Sequence, residues 1–294
     1  MPALPLVALF GPTGVGKTEV AVELAELLRA DGDDPVAVSA DALQLYAGLE
    51  LLTGAASNAD RERLEHRLLG ILPVSARATA GDYARRAHAE IDALIEQGRR
   101  PIVVGGTGLY LRAALAELDL RPPVPPEIRE RRRADLEARG PEALHAELLE
   151  HVPDTTIRAT DPHRIVRALE LLDAGLPLPA GEQLWTADTR HPTLLAGLTM
   201  EREALKRRIG ERVDEMVRDG ALEEVRAAAP HASGTARKAL GFRELLAGDA
   251  EAMKTATRRY ARRQLTWMRK LPVQLIDVTD RTADDVAREL LDLL

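Results

Sequence analysis

The sequence predicts an α/β fold, a P-loop NTPase-like and mostly parallel sheet flanked by helices, with an all-helical insertion domain. Short apolar runs that end in glycine or aspartate alternate with segments of helical periodicity in the first part of the chain. A phosphate-binding loop follows the first of these runs. Alternation of strands and helices in this manner places helices on both faces of a parallel sheet.

Three apolar runs predict the first strands of the sheet. Residues 4–10 form the first run, which ends in Gly11 and Pro12, and residues 17–29 then carry apolar side chains at helical spacing. These segments predict a strand, a loop and a helix. Two further strands are expected at residues 35–40 and 101–104, and two further helices at residues 83–97 and 109–118.

A proline-rich stretch marks a domain boundary. Residues 121–126 spell RPPVPP, which can neither continue a helix nor occupy a central strand. Helical patterns follow at 127–139 and 141–151, and a third helix is expected to begin at Asp161 and Pro162, where aspartate caps and proline fits the first turn. The later elements are a soft segment at 175–192, strands at 194–199 and 273–278, and helices at 202–219, 222–229 and 283–293. We therefore assign residues 1–119 and 193–294 to the α/β core and residues 120–192 to the insertion.

Composition excludes several kinds of chemistry. The 294 residues include no cysteine, which excludes disulfides, thiolate metal sites and a cysteine nucleophile. The first apolar run lacks a basic leading segment and ends in a glycine-rich loop, so it predicts a buried strand rather than a signal segment. Because no other stretch approaches the length of a membrane span, we expect a cytoplasmic protein without membrane attachment.

The strongest local motif is GPTGVGKT, a full match to the pattern G-x-x-x-x-G-K-[ST] that is typical of nucleotide-binding and ATP-binding proteins. Backbone N–H groups of such a loop and the adjoining helix N-terminus bind a diphosphate or triphosphate, and a lysine adds a full charge. Thr18 is the candidate ligand for Mg²⁺. The predicted phosphate-binding residues are Gly11, Pro12, Thr13, Gly14, Val15, Gly16, Lys17 and Thr18.

Two further segments follow predicted strands at the same edge of the sheet. Asp41 ends the second strand and should face the ligand of the P-loop. From its position alone it could be a general base, a turn cap or a magnesium ligand. Gly105, Gly106, Thr107 and Gly108 follow the third strand, where glycines permit close approach to a ligand or simply make a tight turn.

A basic segment near the C-terminus contrasts with the net charge of −7 of the whole chain. Residues 254–270 contain seven lysines or arginines and no acidic residue, with Tyr260 and Trp267 interleaved. This pattern favours a surface for nucleic-acid phosphates and stacked bases over a solvated helix face, which normally mixes charge signs. A second cluster at residues 129–133 is surrounded by acidic residues and is typical of a salt-bridged surface.

With these residues identified, the chain resembles the tRNA dimethylallyltransferase family, also called tRNA isopentenyltransferases or IPP transferases. The resemblance extends from the P-loop to Lys270, and its GGTGLY and YARRQLTW blocks are highly specific. The blocks that carry it are GPTGVGKT, DALQLY at 41–46, IVVGGTGLYLRAAL at 102–115, DPHRIVRALEL at 161–171, KALGFREL at 238–245 and TRRYARRQLTWMRK at 257–270.

The resemblance implies that the chain transfers a dimethylallyl group from dimethylallyl diphosphate to N6 of the adenosine 3′-adjacent to the anticodon, position 37, and releases diphosphate. The P-loop would hold the diphosphate without hydrolysing a nucleotide, with Mg²⁺ at Thr18. Asp41 would accept the proton of the adenine amine, and Thr107 would hold a diphosphate oxygen. Lys17, with Arg202 or Arg212, would stabilise the departing charge.

The resemblance also implies a tRNA-binding surface. The helical insertion would grip the anticodon stem-loop, and the target adenosine would leave its stack to reach the crevice. The implied tRNA-contacting residues are Asp41, Ala42, Leu43, Gln44, Thr107, Arg129, Asp161, Pro162, His163, Arg164, Ile165, Arg258, Arg262 and Trp267. We expect a compact bacterial form that acts as a monomer.

Some positions depart from the family pattern. Serine is more usual where this chain has Ala42, and a Gly-Thr-Ala-Lys-Pro stretch is more usual at residues 52–56, which here are LTGAA. A paired histidine is common where this chain has Glu65 and His66. These departures concern contacts of that loop rather than the base or the P-loop.

Three other functions are compatible with parts of the pattern. A small-molecule kinase would use the P-loop and Asp41 but has no use for a basic aromatic helix. An enzyme that prenylates free AMP or ADP would not need a long helical insertion. An RNA-binding P-loop switch protein would leave Asp41 and the GGTG loop without a role. Turnover of ATP with a small acceptor would distinguish the kinase.

Overall fold

A computed structural model describes residues 5–179 and 183–294. Its main sheet has six strands in the order β4-β2-β6-β1-β7-β8, and every neighbouring pair is parallel. A separate parallel pair joins β3 to β5. The strands are β1 Leu6–Phe10, β2 Pro35–Ser39, β3 Tyr46–Ala47, β4 His66–Arg67, β5 Leu72–Pro73, β6 Arg100–Gly105, β7 Thr193–Thr199 and β8 Gln274–Asp277. The predicted α/β fold class is confirmed.

The helices follow and connect these strands, in agreement with the predicted alternation. They are α1 Lys17–Ala30, α2 Glu50–Thr53, α3 Asn58–Arg63, α4 Ala80–Glu96, α5 Gly108–Leu115, α6 Pro126–His151, α7 Pro162–Asp173, α8 Arg202–Arg218, α9 Ala221–Ala228, α10 Phe242–Leu246, α11 Ala250–Met268 and α12 Ala283–Asp292. Short 3-10 turns lie at Gln183–Trp185 and Ala236–Lys238.

The apolar runs of the sequence are strands because both faces of the sheet are covered. All five residues of β1 and of β2 are buried, and α1 and α4 both contact β2 and β6. Side chains of β1, α1 and α12 share one core cluster that includes Leu9, Val22 and Leu290. A strand buried on both faces has no polar alternation.

The chain divides into two compact units. The core unit comprises the chain up to Leu118 together with Leu184–Leu294, and the helical unit comprises Asp119–Gln183. The sequence placed these boundaries at residues 120 and 192. The segment that returns to the core therefore joins it earlier than the proline at residue 192 indicated, since Arg190 N–H donates to the Leu115 carbonyl at 2.8 Å.

The helical unit has its own core and a dense set of ion pairs. Residues of α6 and α7, among them Leu144 and Leu169, form an apolar cluster. Arg132 donates to Asp173 at 2.5 and 2.7 Å and to Glu147 at 2.6 Å. Gly140, with φ of 79°, interrupts α6 where the sequence predicted one helix to end and the next to begin. The basic cluster at residues 129–133 is thus salt-bridged as the sequence indicated.

Several elements could not be predicted from the sequence. The three strands of two residues, β3, β4 and β5, are too short to show a periodic pattern. The predicted first strand began at residue 4, which lies outside the described residues. The predicted soft segment at 175–192 includes residues 180–182, which also lie outside them. Within the described ranges, no helix combines the length and apolarity needed to span a membrane.

Candidate active site

The carboxyl ends of three central strands meet at one edge of the sheet. β1, β6 and β2 are adjacent and parallel, so the loops that follow them lie side by side. The backbones approach closely there, since Ala40 N–H donates to the Val104 carbonyl at 2.7 Å. A side chain at Gly105 would overlap the Ala40 carbonyl oxygen. Glycine at this position therefore allows Asp41 and the GGTG loop to be neighbours.

The loop between β1 and α1 is a phosphate-binding loop. Gly16 precedes α1 with φ of 99°, a left-handed conformation that favours glycine. The Lys17 ammonium donates to the carbonyl oxygens of Gly11 and Pro12 at 3.0 and 2.9 Å. Burial, followed by the Arg212 charge, lowers the pKa of Lys17 to about 8. Such a lysine gains from the arrival of an anion, because an anion offsets the burial and the Arg212 charge that disfavour the charged form.

Asp41 lies in the same pocket, directly after β2. Its carboxylate accepts a hydrogen bond from Leu43 N–H at 3.0 Å, so the side chain also shapes the turn that follows. Burial raises the pKa of Asp41, although the Leu43 N–H group and the Lys17 charge act in the opposite direction. A buried carboxylate with a raised pKa is a better proton acceptor than an exposed one.

Thr107 lies between Asp41 and helix α11. Its hydroxyl lies 3.1 Å from the Tyr260 hydroxyl, and its side chain is close enough to the Asp41 carboxylate to lower the pKa of that group. The assignment of the Thr107 hydroxyl to a diphosphate oxygen stays a prediction.

Of the two arginines proposed from the sequence, the structure brings only one to the pocket. Arg212 lines the pocket and donates to the Gly54 carbonyl at 2.9 Å, and burial lowers its pKa. Arg202 is the exposed first residue of α8 and does not line the pocket. Ten residues of helix separate the two, which is about 15 Å at 1.5 Å per residue. The expectation that Arg202 stabilises departing charge is therefore corrected.

The pocket has a volume of about 200 Å³ and two kinds of lining. Its cationic side chains are Lys17, Arg212, Lys238 and Arg263. Its apolar lining includes Leu43, Leu52, Val213, Met216, Leu240 and Met253. A pocket with both kinds of surface fits a ligand that joins a polyanionic group to an apolar one.

Three of the residues that line the pocket could not be recognised as site residues from the sequence. Lys238 and Arg263 are exposed cations, and Gln264 is a buried polar residue that contacts two loops. The KALGFREL and YARRQLTW blocks contain all three. Their spacing gave no indication of which side of each helix faces the pocket.

The tRNA-contacting residues predicted in the core unit lie in different environments. Gln44 lines the pocket, where its side chain accepts from the Ser39 hydroxyl at 2.9 Å and donates to the Gly54 carbonyl at 3.3 Å. Leu43 also lines the pocket, whereas Ala42 does not. On α11, Arg262 is exposed and Arg258 is partly buried.

Trp267 is less exposed than a free stacking platform would be. Its ring lies 4.7 Å from the Trp185 ring, centroid to centroid, and occupies the space that a side chain at Gly108 would take. The Lys270 ammonium lies 4.7 Å from the centre of the Trp185 ring. Much of the Trp267 ring is therefore committed to packing.

The predicted contact residues of the helical unit are partly structural. Asp161 caps α7 by accepting from Arg164 N–H at 3.1 Å, and Pro162 occupies the first turn. Ile165 is fully buried in the core of this unit, so its side chain is not available to a tRNA and that expectation is corrected. Arg129, His163 and Arg164 are exposed.

Together, the fold and the pocket define a P-loop α/β protein that can hold a phosphorylated ligand beside a half-buried carboxylate. A family model described as IPP transferase matches residues 44–271. The chain is 40% identical to a tRNA dimethylallyltransferase of Thermobifida fusca (strain YX), over 94% of this chain and 92% of that protein. It is also 40% identical to a tRNA dimethylallyltransferase of Clavibacter sepedonicus, over 90% of each. The chain belongs to the IPP transferase family.

Solved structures agree with this assignment. A full-length tRNA isopentenylpyrophosphate transferase of Bacillus halodurans is 30% identical, with a TM-score of 0.70 over 98% of this chain and 95% of that one. A eukaryotic dimethylallyltransferase, described as acting on tRNA, has a TM-score of 0.77 at 23% identity and supports the fold alone.

Proposed function

We propose that this chain is a tRNA dimethylallyltransferase that prenylates N6 of the adenosine 3′-adjacent to the anticodon, with dimethylallyl diphosphate as donor. The observation that carries the proposal is the position of Asp41, a half-buried carboxylate whose pKa is raised by desolvation, in one pocket with Lys17 and the P-loop. The names of the relatives, which are tRNA dimethylallyltransferases, support the same reaction.

The donor fits the two kinds of surface in the pocket. The P-loop N–H groups, Lys17 and Arg212 would bind the diphosphate, because they concentrate positive potential where the leaving group carries its charge. The apolar side chains would hold the dimethylallyl chain. Fixed donors aimed at the leaving diphosphate stabilise the transition state more than the ground state, since charge develops there as the bond breaks.

Prenyl transfer needs one proton acceptor. The adenine N6 forms a bond to C1 of the dimethylallyl group while the bond from C1 to the diphosphate oxygen breaks, and the diphosphate leaves with the electron pair. N6 loses one proton, which the Asp41 carboxylate accepts. The hydrogen bond from Leu43 N–H would hold the carboxylate in one orientation during this transfer.

The oxygen ligands in the pocket fit Mg²⁺. Thr18 would supply a hydroxyl, which is a hard oxygen ligand, and the described residues contain no group of three acidic or histidine side chains that could hold a metal without substrate. The diphosphate would therefore supply the remaining oxygens. When bound, the ion would neutralise part of the charge of the leaving group.

A tRNA acceptor explains the two faces of α11. Met253, Thr257, Ala261, Gln264 and Met268 are buried, whereas Arg259, Arg262 and Arg263 are exposed, as are Arg269 and Lys270 directly after the helix. A row of exposed cations on one helix suits an acceptor with a phosphate backbone better than free AMP, which would gain little from it. We also propose that the enzyme is a monomer and that it acts in the cytoplasm.

The test is product analysis with several acceptors. Purified protein, Mg²⁺ and dimethylallyl diphosphate are incubated with unmodified tRNA, an isolated anticodon stem-loop or AMP, and the nucleosides are analysed by mass. We expect dimethylallyl-adenosine from tRNA, less from the stem-loop and none from AMP. Prenylated AMP, or consumption of ATP with a small acceptor and no prenylation, would contradict the proposal.

A further inference from the structure

Helix α11 contacts two catalytic loops through a single buried amide. Gln264 is only 4% exposed. Its side-chain oxygen accepts from Thr13 N–H of the P-loop at 2.8 Å, and its side-chain nitrogen donates to the Gly106 carbonyl at 2.7 Å. One side chain therefore bridges the loop after β1 and the loop after β6.

Two neighbours on the same face of α11 reinforce this contact. Tyr260 and Trp267 lie four residues before and three residues after Gln264, a spacing that places all three side chains on one side of a helix. Tyr260 reaches the Thr107 hydroxyl, and the Trp267 ring packs against Gly108. Three side chains of α11 thus contact three consecutive residues of the GGTG loop.

The bridge needs a residue that donates and accepts at the same time. A glutamine amide offers a carbonyl oxygen and an NH₂ group at the end of one flexible chain, which matches an N–H donor on one loop and a carbonyl acceptor on the other. An apolar side chain of similar length would leave both backbone groups unpaired in a buried place. The donor and acceptor groups of the Gln264 side chain, and not only its size, therefore suit it to this position.

We propose that Gln264 is a positioning residue that fixes the distance between the phosphate-binding loop and the GGTG loop, which packs against the segment that carries Asp41. The inference rests on the proposed function, because it concerns the geometry of that reaction. In that reaction the P-loop binds the leaving diphosphate, whereas the GGTG loop contacts Ala40, next to the proton acceptor, and places Thr107 beside it. A bridge between the two loops sets the spacing of leaving group and acceptor, and a shift of about 1 Å in such spacing costs about a hundredfold in rate.

The first kinetic test uses one substitution and a matched control. Gln264→Met keeps the approximate length and removes both hydrogen bonds, and Gln97→Met makes the same chemical change at an exposed site. We expect Gln264→Met to lower kcat by about tenfold or more, with the KM of both substrates nearly unchanged, and Gln97→Met to behave as the wild type. A kcat within twofold of the wild type, or a loss confined to KM, would overturn the proposal.

A conservative variant separates positioning from simple destabilisation. In Gln264→Glu, the ionised carboxylate can accept from Thr13 N–H but cannot donate to the Gly106 carbonyl, whereas the protonated form can do both. Lys17, Asp41 and Tyr260 line the same pocket and change charge with pH in the wild type too, and Arg263 adds a positive charge there, so each rate is divided by the wild-type rate at the same pH. We expect this ratio to rise as the pH is lowered. A ratio as low as that of Gln264→Met at every pH would contradict the bridge.

Hydrogen exchange tests the bridge without relying on the reaction. We expect peptides that contain residues 11–16 and 105–108 to exchange faster in Gln264→Met than in the wild type or in Gln97→Met. Unchanged exchange in both peptides would overturn the bridge. If the wild type itself formed no prenyl-adenosine, the proposed function would fail, and exchange would still decide whether Gln264 holds the two loops.

Discussion

The chain contains two centres of concentrated charge that behave in opposite ways. In the helical unit, hydrogen bonds with Asp173 raise the pKa of Arg132, and the same bonds lower the pKa of Asp173. In the pocket, burial lowers the pKa of Lys17 and of Arg212 and raises that of Asp41. The first centre favours the charged forms of Arg132 and Asp173, whereas the pocket disfavours the charged forms of Lys17, Arg212 and Asp41.

This difference separates a structural centre from a functional one. Arg132 has carboxylate partners on three sides, so no further ligand is needed to stabilise it. Lys17 and Arg212 are desolvated and would gain from an anion, and Asp41 would gain from a proton. Shifts towards the neutral form in a cleft are typical of functional sites. Four predictions test this contrast, in order of decreasing effect.

Replacing a pocket cation should mainly affect the reaction. We expect Arg212→Met to lower kcat by about a hundredfold, because a fixed donor to the leaving diphosphate is lost. We expect the free energy of unfolding to change little, since the buried guanidinium is itself costly and its Nε has no hydrogen-bond partner among the described residues. Steady-state kinetics and urea unfolding of the same preparation would check both expectations. An unchanged kcat would remove Arg212 from the site.

The pH dependence of kcat/KM should follow the titration of Lys17 and Asp41 in the pocket rather than that of groups in the helical unit. Donor binding favours protonated Lys17, so kcat/KM should fall by up to about tenfold per pH unit as the pH rises through a value near 8. On the acid side, kcat/KM should fall as Asp41 is protonated, at a pH above its ordinary pKa of 3.8. A pH series with wild type and Lys17→Arg measures this. In Lys17→Arg, the fall of kcat/KM on the alkaline side should occur at a higher pH, because arginine keeps its charge.

Replacing the structural arginine should mainly affect stability. We expect Arg132→Met to lower the free energy of unfolding by about 1–3 kcal/mol, because it leaves Asp173 and Glu147 without their charged partner. Since the pKa of Asp173 is lowered in the folded state, the stability that it contributes is lost only as the pH falls through that lowered value. Urea unfolding with Arg133→Met as an exposed control would test this. Equal stability of the two variants would contradict the structural role.

The smallest effect should come from Arg202, the candidate arginine that does not line the pocket. Arg202→Ala should keep kcat and donor KM within about twofold of the wild type, because surface substitutions away from a site have minor effects. The measurement is the same kinetic assay that is used for Arg212→Met. A large loss in Arg202→Ala would show that α8 contributes its first turn to the reaction.

Much of the fold and part of the site could be predicted from the sequence. Strands buried on both faces, such as β1 and β6, appear as continuous apolar runs, and the P-loop has a pattern that requires one loop geometry. The position of Asp41 at the ligand-binding edge could be predicted because Asp41 follows a strand of a parallel sheet. These are local signals that one stretch of sequence contains.

The remaining features depend on contacts between distant parts of the chain. Gln264 meets Thr13 across 251 residues, and Arg212 meets Gly54 across 158 residues. Helical spacing shows that Tyr260, Gln264 and Trp267 share a face, but the sequence does not state what lies opposite. For the same reason, the sequence did not distinguish Arg202 from Arg212. The structure shows that Arg212 lines the pocket and that Arg202 does not.

The central claim is that Asp41 accepts the proton of an adenine amine in tRNA. The most direct measurement is single-turnover formation of dimethylallyl-adenosine by Asp41→Asn and wild type, with donor binding measured in parallel. Asparagine has nearly the same shape but cannot accept the proton, so we expect a loss of about a hundredfold to ten-thousandfold in rate with donor binding retained. A variant that prenylates tRNA at the wild-type rate would contradict the account.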